Sequence, residues 1–190
     1  MAHLEAPAKL TLSLRITGVR ADGFHLIDAE MVTLDLADTL VVEEAAETGV
    51  SVDGPFAAGV PTDGSNLVVR ALRAAGRTAS VRVTKNVPNG GGLGGGSSDA
   101  AAVLRWAGFT DMEEASRLGA DIPFCMVGGR ARVTGIGEKV SPLPFEPRDV
   151  TLVVPPLHVP TPAVYAAWDS LGGPAHRSGN DLTDAAIAVE

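Results

Sequence analysis

The chain reads as an α+β two-layer sandwich, and three observations predict it. Its first half alternates apolar and polar residues at the strand period, most clearly in AKLTLSLRI at residues 8–16. Helical stretches with cap residues begin only after residue 64, and strand-like runs return behind them. A glycine-rich run at 90–96 follows a strand-like stretch. No second strand ending in an acidic residue lies about twenty positions further on, so a doubly wound dinucleotide fold is rejected.

In 8–16, Leu10, Leu12 and Leu14 share one face while Lys9, Thr11 and Ser13 share the other. Asp22-Gly23 is a hairpin turn signal. Residues 26–36 and 39–45 then read as two further strands and GVSV at 49–52 as a fourth, so an opening antiparallel run is expected. SNLVVRALRAAG at 65–76 combines a serine cap, apolar residues at helical spacing and a closing glycine, which predicts a helix. SVRVT at 80–84 is a strand leading into the glycine run. A helix over 98–107 is expected next, capped by Ser97 or Ser98.

Thr110 and Glu113 match a capping box for a short helix closed by Gly119. RARVTGIGE (130–138) and DVTLVVPP (149–156) are the returning strands. Proline becomes frequent from Pro155, placing a boundary between a unit over 1–150 and a second over 151–190.

Composition narrows the function. The 190 residues are 45% hydrophobic and 20% charged, with net charge −8, which opposes nonspecific nucleic-acid binding because that requires Lys and Arg to neutralise phosphates. Cys125 is the lone cysteine, so no internal disulfide is possible and a reducing compartment is expected. No signal peptide is evident, and no apolar run approaches the ~18 residues of a membrane span. A cytoplasmic chain is expected. His3, His25, His158 and His176 lack ligand spacing, which argues against zinc.

The chemistry concentrates in PNGGGLGGGSSDAAAVL, residues 88–104, where six of the seven positions 90–96 are glycine. Glycine permits left-handed backbone and close approach of N–H groups to an anion, and a helix N-terminus adds further unpaired donors. A flexible linker is the alternative, but linkers do not usually run into a capped helix. The lysine that ends a Walker loop is absent after Gly96. Two further residues stand out, each with an ordinary alternative. Lys9 on a polar strand face is either a solvated charge or a functional cation, and Asp121 before Ile122-Pro123 either caps a helix or serves chemistry.

Taken in order, APAKLTLSLRITGVRADGFH (6–25), DGSNLVVRA (63–71), the glycine run, LGADIPF (118–124), GIGEKVSPLP (135–144) and VPTPAVY (159–165) resemble the GHMP kinase superfamily. Within it they are most similar to the branch acting on a CDP-linked methylerythritol. The resemblance implies a GHMP kinase-like sandwich, with residues 151–190 opening a second α+β domain that is truncated at Glu190 before the family's later glycine-rich motif. It implies ATP-dependent phosphorylation of the 2-hydroxyl of that small-molecule substrate, in the non-mevalonate route to isoprenoid precursors. Mg²⁺ is implied beside ATP, with no ligand residues assigned.

By motif match, Lys9 and Asp121 are the catalytic pair. Pro88, Asn89, Gly90, Gly91, Gly92, Leu93, Gly94, Gly95, Gly96, Ser97 and Ser98 wrap the ATP phosphates. Thr11, Phe24, His25 and Tyr165 hold the substrate, the aromatic residues by stacking on its base. Thr11 stands where the family has asparagine, Phe24 where it has tyrosine, and the stretch from Ser98 to Asp121 is short. The alternatives are a GHMP kinase for another small alcohol, or a nucleotide-binding module without catalysis.

Overall fold

The computed structural model describes residues 1–154, 159–173 and 179–189. Two long strands form its spine: β1 (Ala2–Val19) and β2 (His25–Glu44) pair antiparallel along almost their whole length. Gly23, at φ +87°, makes the turn between them, as Asp22-Gly23 predicts. The two strands expected over 26–45 are thus one. The cause is a bulge: Pro7 pairs with Ala37 and Lys9 with Thr33, so residues 34–36 oppose Ala8 alone and the chain kinks without turning.

The other strands attach to the opposite edge of β2. β4 (Ala79–Thr84) takes its C-terminal half, Thr39–Glu44, and β5 (Arg130–Gly135) its N-terminal half, Ile27–Val32. β3 (Gly49–Asp53) extends the sheet beyond β4 and β6 (Lys139–Pro142) beyond β5. β3 is parallel to β4, so the expected all-antiparallel opening is corrected. The reason is α1 (Leu67–Ala74), which lies between the two strands in sequence and carries the chain back to start β4 in the same direction. Between β4 and β5 a short stretch of β2's edge, including Asp38, is left to loop residues.

Helices form the second layer. α2 (Gly95–Trp106) packs centrally against α1, β1 and α4 (Ile122–Val127), with α3 (Met112–Leu118) alongside α4. Its alanines Ala100, Ala101 and Ala102 are buried, allowing close approach to the sheet. Phe124, Leu40, Leu72, Leu104 and Ile122 are the largest fully buried side chains of this interface. Beyond the layers, α5 (Thr161–Ser170) and α6 (Thr183–Val189) pack on each other. They join β1 where Leu14 N–H donates to Gly179 O at 2.9 Å and Asp181 accepts from Ile16 N–H at 2.9 Å.

Several local expectations are revised. Asn66, not Ser65, caps α1, its side chain accepting from Val68 N–H at 2.8 Å. Asp111, not Thr110, caps α3 through Glu114 N–H at 2.9 Å, and Gly119 closes that helix in extended backbone. Residues 149–154 form no strand, because their edge has no partner among the described residues and Val153 is left exposed; Pro155 and Pro156, with His158 and His176, lie outside the described residues. β6, the KVSP of the GIGEKVSPLP stretch, has no alternating pattern to announce it.

Candidate active site

α2 begins at Gly95, three residues before the expected start, and its cap is Gly94 in the left-handed conformation (φ +68°) with no side-chain cap. The serines therefore fall inside the first turn. Ser98 is fully buried and its hydroxyl donates to Pro7 O at 2.6 Å, tying α2 to β1 rather than facing an anion. Ser97 stays half-buried at the cleft.

The glycine loop is anchored at both ends. Val87 and Leu93 are buried against Ala8 in a small apolar cluster, and Lys9 N–H donates to Leu93 O at 2.9 Å. Along the loop and into the helix cap the backbone alternates through positive φ at Gly90, Gly92 and Gly94. A cleft of about 640 Å³ opens over the loop, lined by residues 88–97 except Gly91, and also by Lys9, Thr11, Lys85, Asp121 and Tyr165.

Lys9 Nζ lies 3.2 Å from Asp121 Oδ2 and donates to Thr11 Oγ1 at 3.2 Å. The bulge beside Ala8 turns Lys9 inward, which buries its stem. Asp121 occupies the N-cap position of α4, with Pro123 in the first turn, yet its side chain caps nothing and turns to Lys9 instead. Gly137, at φ +114°, holds this position from behind, because any Cβ there would collide with the carbonyl of Ala120. That support is carried by the GIGE segment, whose role is invisible without the fold.

The aromatic residues divide. Tyr165 lines the cleft, with burial first and then the Asp121 charge raising its hydroxyl above the usual range. His25 packs on Tyr165 at 4.8 Å between ring centroids, meets Trp168 edge-on at 5.4 Å and hydrogen-bonds Asp169 Oδ1 at 2.8 Å. Phe24 is set apart: it is 54% exposed, its ring under Arg20 at 5.9 Å, and it does not line the cleft. Cys125 lies buried behind Asp121, and burial above all pushes its thiol up to about 12, away from the reactive thiolate.

A charged cluster that no sequence pattern announces lies beneath the start of α2. Lys85, 3% exposed, sits behind the loop between the carboxylates of Asp38 and Asp99, contacting Asp38 Oδ2 closely and Asp99 Oδ2 at 2.7 Å. Asp38 Oδ1 also accepts from the backbone N–H groups of Asn86 (2.6 Å) and Val87 (2.8 Å). Burial outweighs the ammonium at Asp99 and pushes its carboxyl up to about 7. The sequence offers only an Asp directly after the serines as a signal.

Residues 66–129 match the family model described as GHMP kinases N terminal domain. A 4-diphosphocytidyl-2-C-methyl-D-erythritol kinase of Paracoccus denitrificans is 41% identical over 97% of this chain and 74% of its own length. The enzyme of that name from Dinoroseobacter shibae is 43% identical over 84% of this chain and 58% of its own. The chain thus spans between about three-fifths and three-quarters of the length of these relatives. A crystal structure of 4-(cytidine 5'-diphospho)-2C-methyl-D-erythritol kinase superposes with a TM-score of 0.67, at 33% identity over 98% of this chain and 78% of that one. A mevalonate diphosphate decarboxylase from Legionella pneumophila shares the fold alone, at TM-score 0.51 and 16% identity over 88% of this chain and 62% of that one. With the glycine cradle, the paired Lys9 and Asp121 and these likenesses together, the chain belongs to the 4-diphosphocytidyl-2-C-methyl-D-erythritol kinase family of GHMP kinases.

Proposed function

We propose that the chain transfers the γ-phosphoryl group of ATP to the 2-hydroxyl of 4-diphosphocytidyl-2-C-methyl-D-erythritol. The single observation that carries this reading is the Lys9–Asp121 pair, 3.2 Å apart and facing the cleft floored by the glycine loop. Phosphoryl transfer through a loose transition state asks the protein chiefly to position groups and neutralise charge. In this reading the loop N–H groups and the first turn of α2 hold the triphosphate. Asp121 accepts the hydroxyl proton, a role worth about 10²- to 10⁴-fold, and Lys9 neutralises the transferring group. Thr11, already hydrogen-bonded to Lys9, fixes the ammonium beside the alcohol.

Mg²⁺ fits as an ion that arrives on the nucleotide. Among the described residues no group of three acidic, His or Cys side chains forms a cage, and such ions usually keep phosphate and water ligands. When bound it would spread the negative charge of the phosphates. In this reading Tyr165, which lines the cleft, stacks on the cytosine. Phe24 and His25 join this subsite in the proposal only if α5 yields, since His25 now contacts Tyr165 directly. We place the activity in the cytoplasm, where the buried Cys125 stays a thiol. Residues 151–190 are read as belonging to a second domain. Among the described residues no helix is long and apolar enough to cross a membrane.

The test is a single-turnover reaction with γ-labelled ATP, the CDP-linked alcohol and Mg²⁺. Label moving to the CDP-linked alcohol but not to mevalonate derivatives is expected. A chain that binds the nucleotide yet transfers nothing would return the reading to a binding module.

A further inference from the structure

The buried cluster behind the loop has one negative charge too many. Asp38 and Asp99 contribute two carboxylates and Lys85 one ammonium, and all three are at least nine-tenths buried. Their environments differ. Asp38 has three donors, Lys85 and two backbone N–H groups, as suits a carboxylate. Asp99 has only Lys85, and its Oδ1 is buried without any hydrogen-bond partner. An unpartnered buried oxygen costs far less on a neutral acid than on an anion.

The cluster also touches the proposed phosphate cradle. A Cβ added to Gly95 would lie 3.2 Å from Lys85 Nζ and 3.3 Å from Asp38 Oδ2, so the charges sit directly beneath the first residue of α2. Among the described residues, Lys85 from the end of β4 and Asp38 from β2 are the charged groups acting on Asp99; β1, α1 and α4 present none that does.

We propose that Asp38, Lys85 and Asp99 form a positioning device for the nucleotide phosphates, in which the proton occupancy of Asp99 rises as the polyphosphate anion binds. The inference rests on the nucleotide reading of the cleft. In the fraction of molecules where Asp99 is ionised, solvent supplies the proton, the carboxylate becomes a carboxylic acid, and the cluster passes from a net charge of −1 to zero. Lys85 is then shared less with Asp99 and bears more fully on the anion above Gly95. Reciprocity follows: an anion that favours the protonated cluster binds more weakly as pH rises. The carboxyl of Asp99, pushed up to about 7 by burial, makes the exchange occur near neutral pH.

The experiment is calorimetric titration of the full chain with Mg²⁺ and a non-hydrolysable ATP analogue, in buffers of different ionisation enthalpy, from pH 6 to 8. Wild type should take up a fraction of a proton on binding, and its Kd should rise about fivefold across that range. Asp99→Asn, locked neutral, should show neither the uptake nor the rise, which separates Asp99 from Lys9, Asp121, Tyr165 and the nucleotide itself. Binding by wild type without proton uptake overturns the coupling whether or not the variant folds. Equal uptake in wild type and Asp99→Asn overturns it as well. A wild type that binds no analogue at all overturns the kinase reading, and the coupling falls with it.

Discussion

Gly94 stands over the aliphatic stem of Lys9: a Cβ at Gly94 would come within 2.8 Å of Lys9 Cγ and 3.1 Å of Cε. The glycine that caps α2 therefore also makes room for the lysine of the proposed catalytic pair. Two demands fall on one position, since the left-handed backbone there is itself strained for any residue with a side chain.

Gly94→Ala tests this relationship. We expect a loss of about 1–3 kcal/mol from the backbone conformation alone, together with a fall in turnover as Lys9 is displaced from Asp121. Gly91→Ala, with no positive φ and its nearest neighbour 3.7 Å away, should be close to neutral in stability. Denaturant titrations and turnover of both variants provide the check, and equal effects would show that the Lys9 stem does not need the glycine.

Asp121→Asn should reduce turnover by about 10²- to 10⁴-fold while the nucleotide Kd stays within a few-fold. The side chain does not cap α4, so its removal should leave the melting temperature nearly unchanged. Lys9→Ala should likewise damage kcat more than nucleotide binding. Parental turnover in either variant would remove that residue from the chemistry.

Tyr165→Ala should raise KM for the CDP-linked alcohol about tenfold, in keeping with about 1 kcal/mol of stacking plus lost apolar contact. Phe24→Ala should do much less, because its ring lies outside the cleft and is largely in solvent. Steady-state kinetics with substrate varied at saturating ATP decide the ranking. A larger penalty at Phe24 would mean that the hairpin tip folds over the substrate.

Asp99 also sets a pH dependence of stability. Its carboxyl is raised in the folded chain from 3.8 to about 7, so the stability linked to its neutral form is complete below about pH 4 and is lost as pH rises to 7. Asp99→Asn should therefore gain on wild type between pH 5 and pH 8, by about 2–3 kcal/mol. Chemical unfolding at the two pH values measures it, and parallel curves would place the titration elsewhere.

Short-range patterns carried much of the architecture. The Lys9 strand, the Asp22-Gly23 turn, α1, β4 and the loop into α2 are all legible because each depends on alternation, turn chemistry or helical spacing over a few residues. The long β2 reads as two strands in the sequence, since a bulge and a turn interrupt alternation alike until the partner strand is known. DVTLVVPP shows the converse: β-favouring composition yields no strand over 149–154 where no edge receives it.

Within the site, the residue types and the glycine cradle were determined by sequence alone, because the need for positive φ and backbone donors is written into the glycines themselves. The convergence of Lys9 with Asp121, the burial of Ser98 against Pro7 and the Asp38–Lys85–Asp99 cluster were decided only by tertiary structure. Each joins residues from separate elements. Their charge and burial depend on desolvation and on distances that no periodicity along the chain can encode.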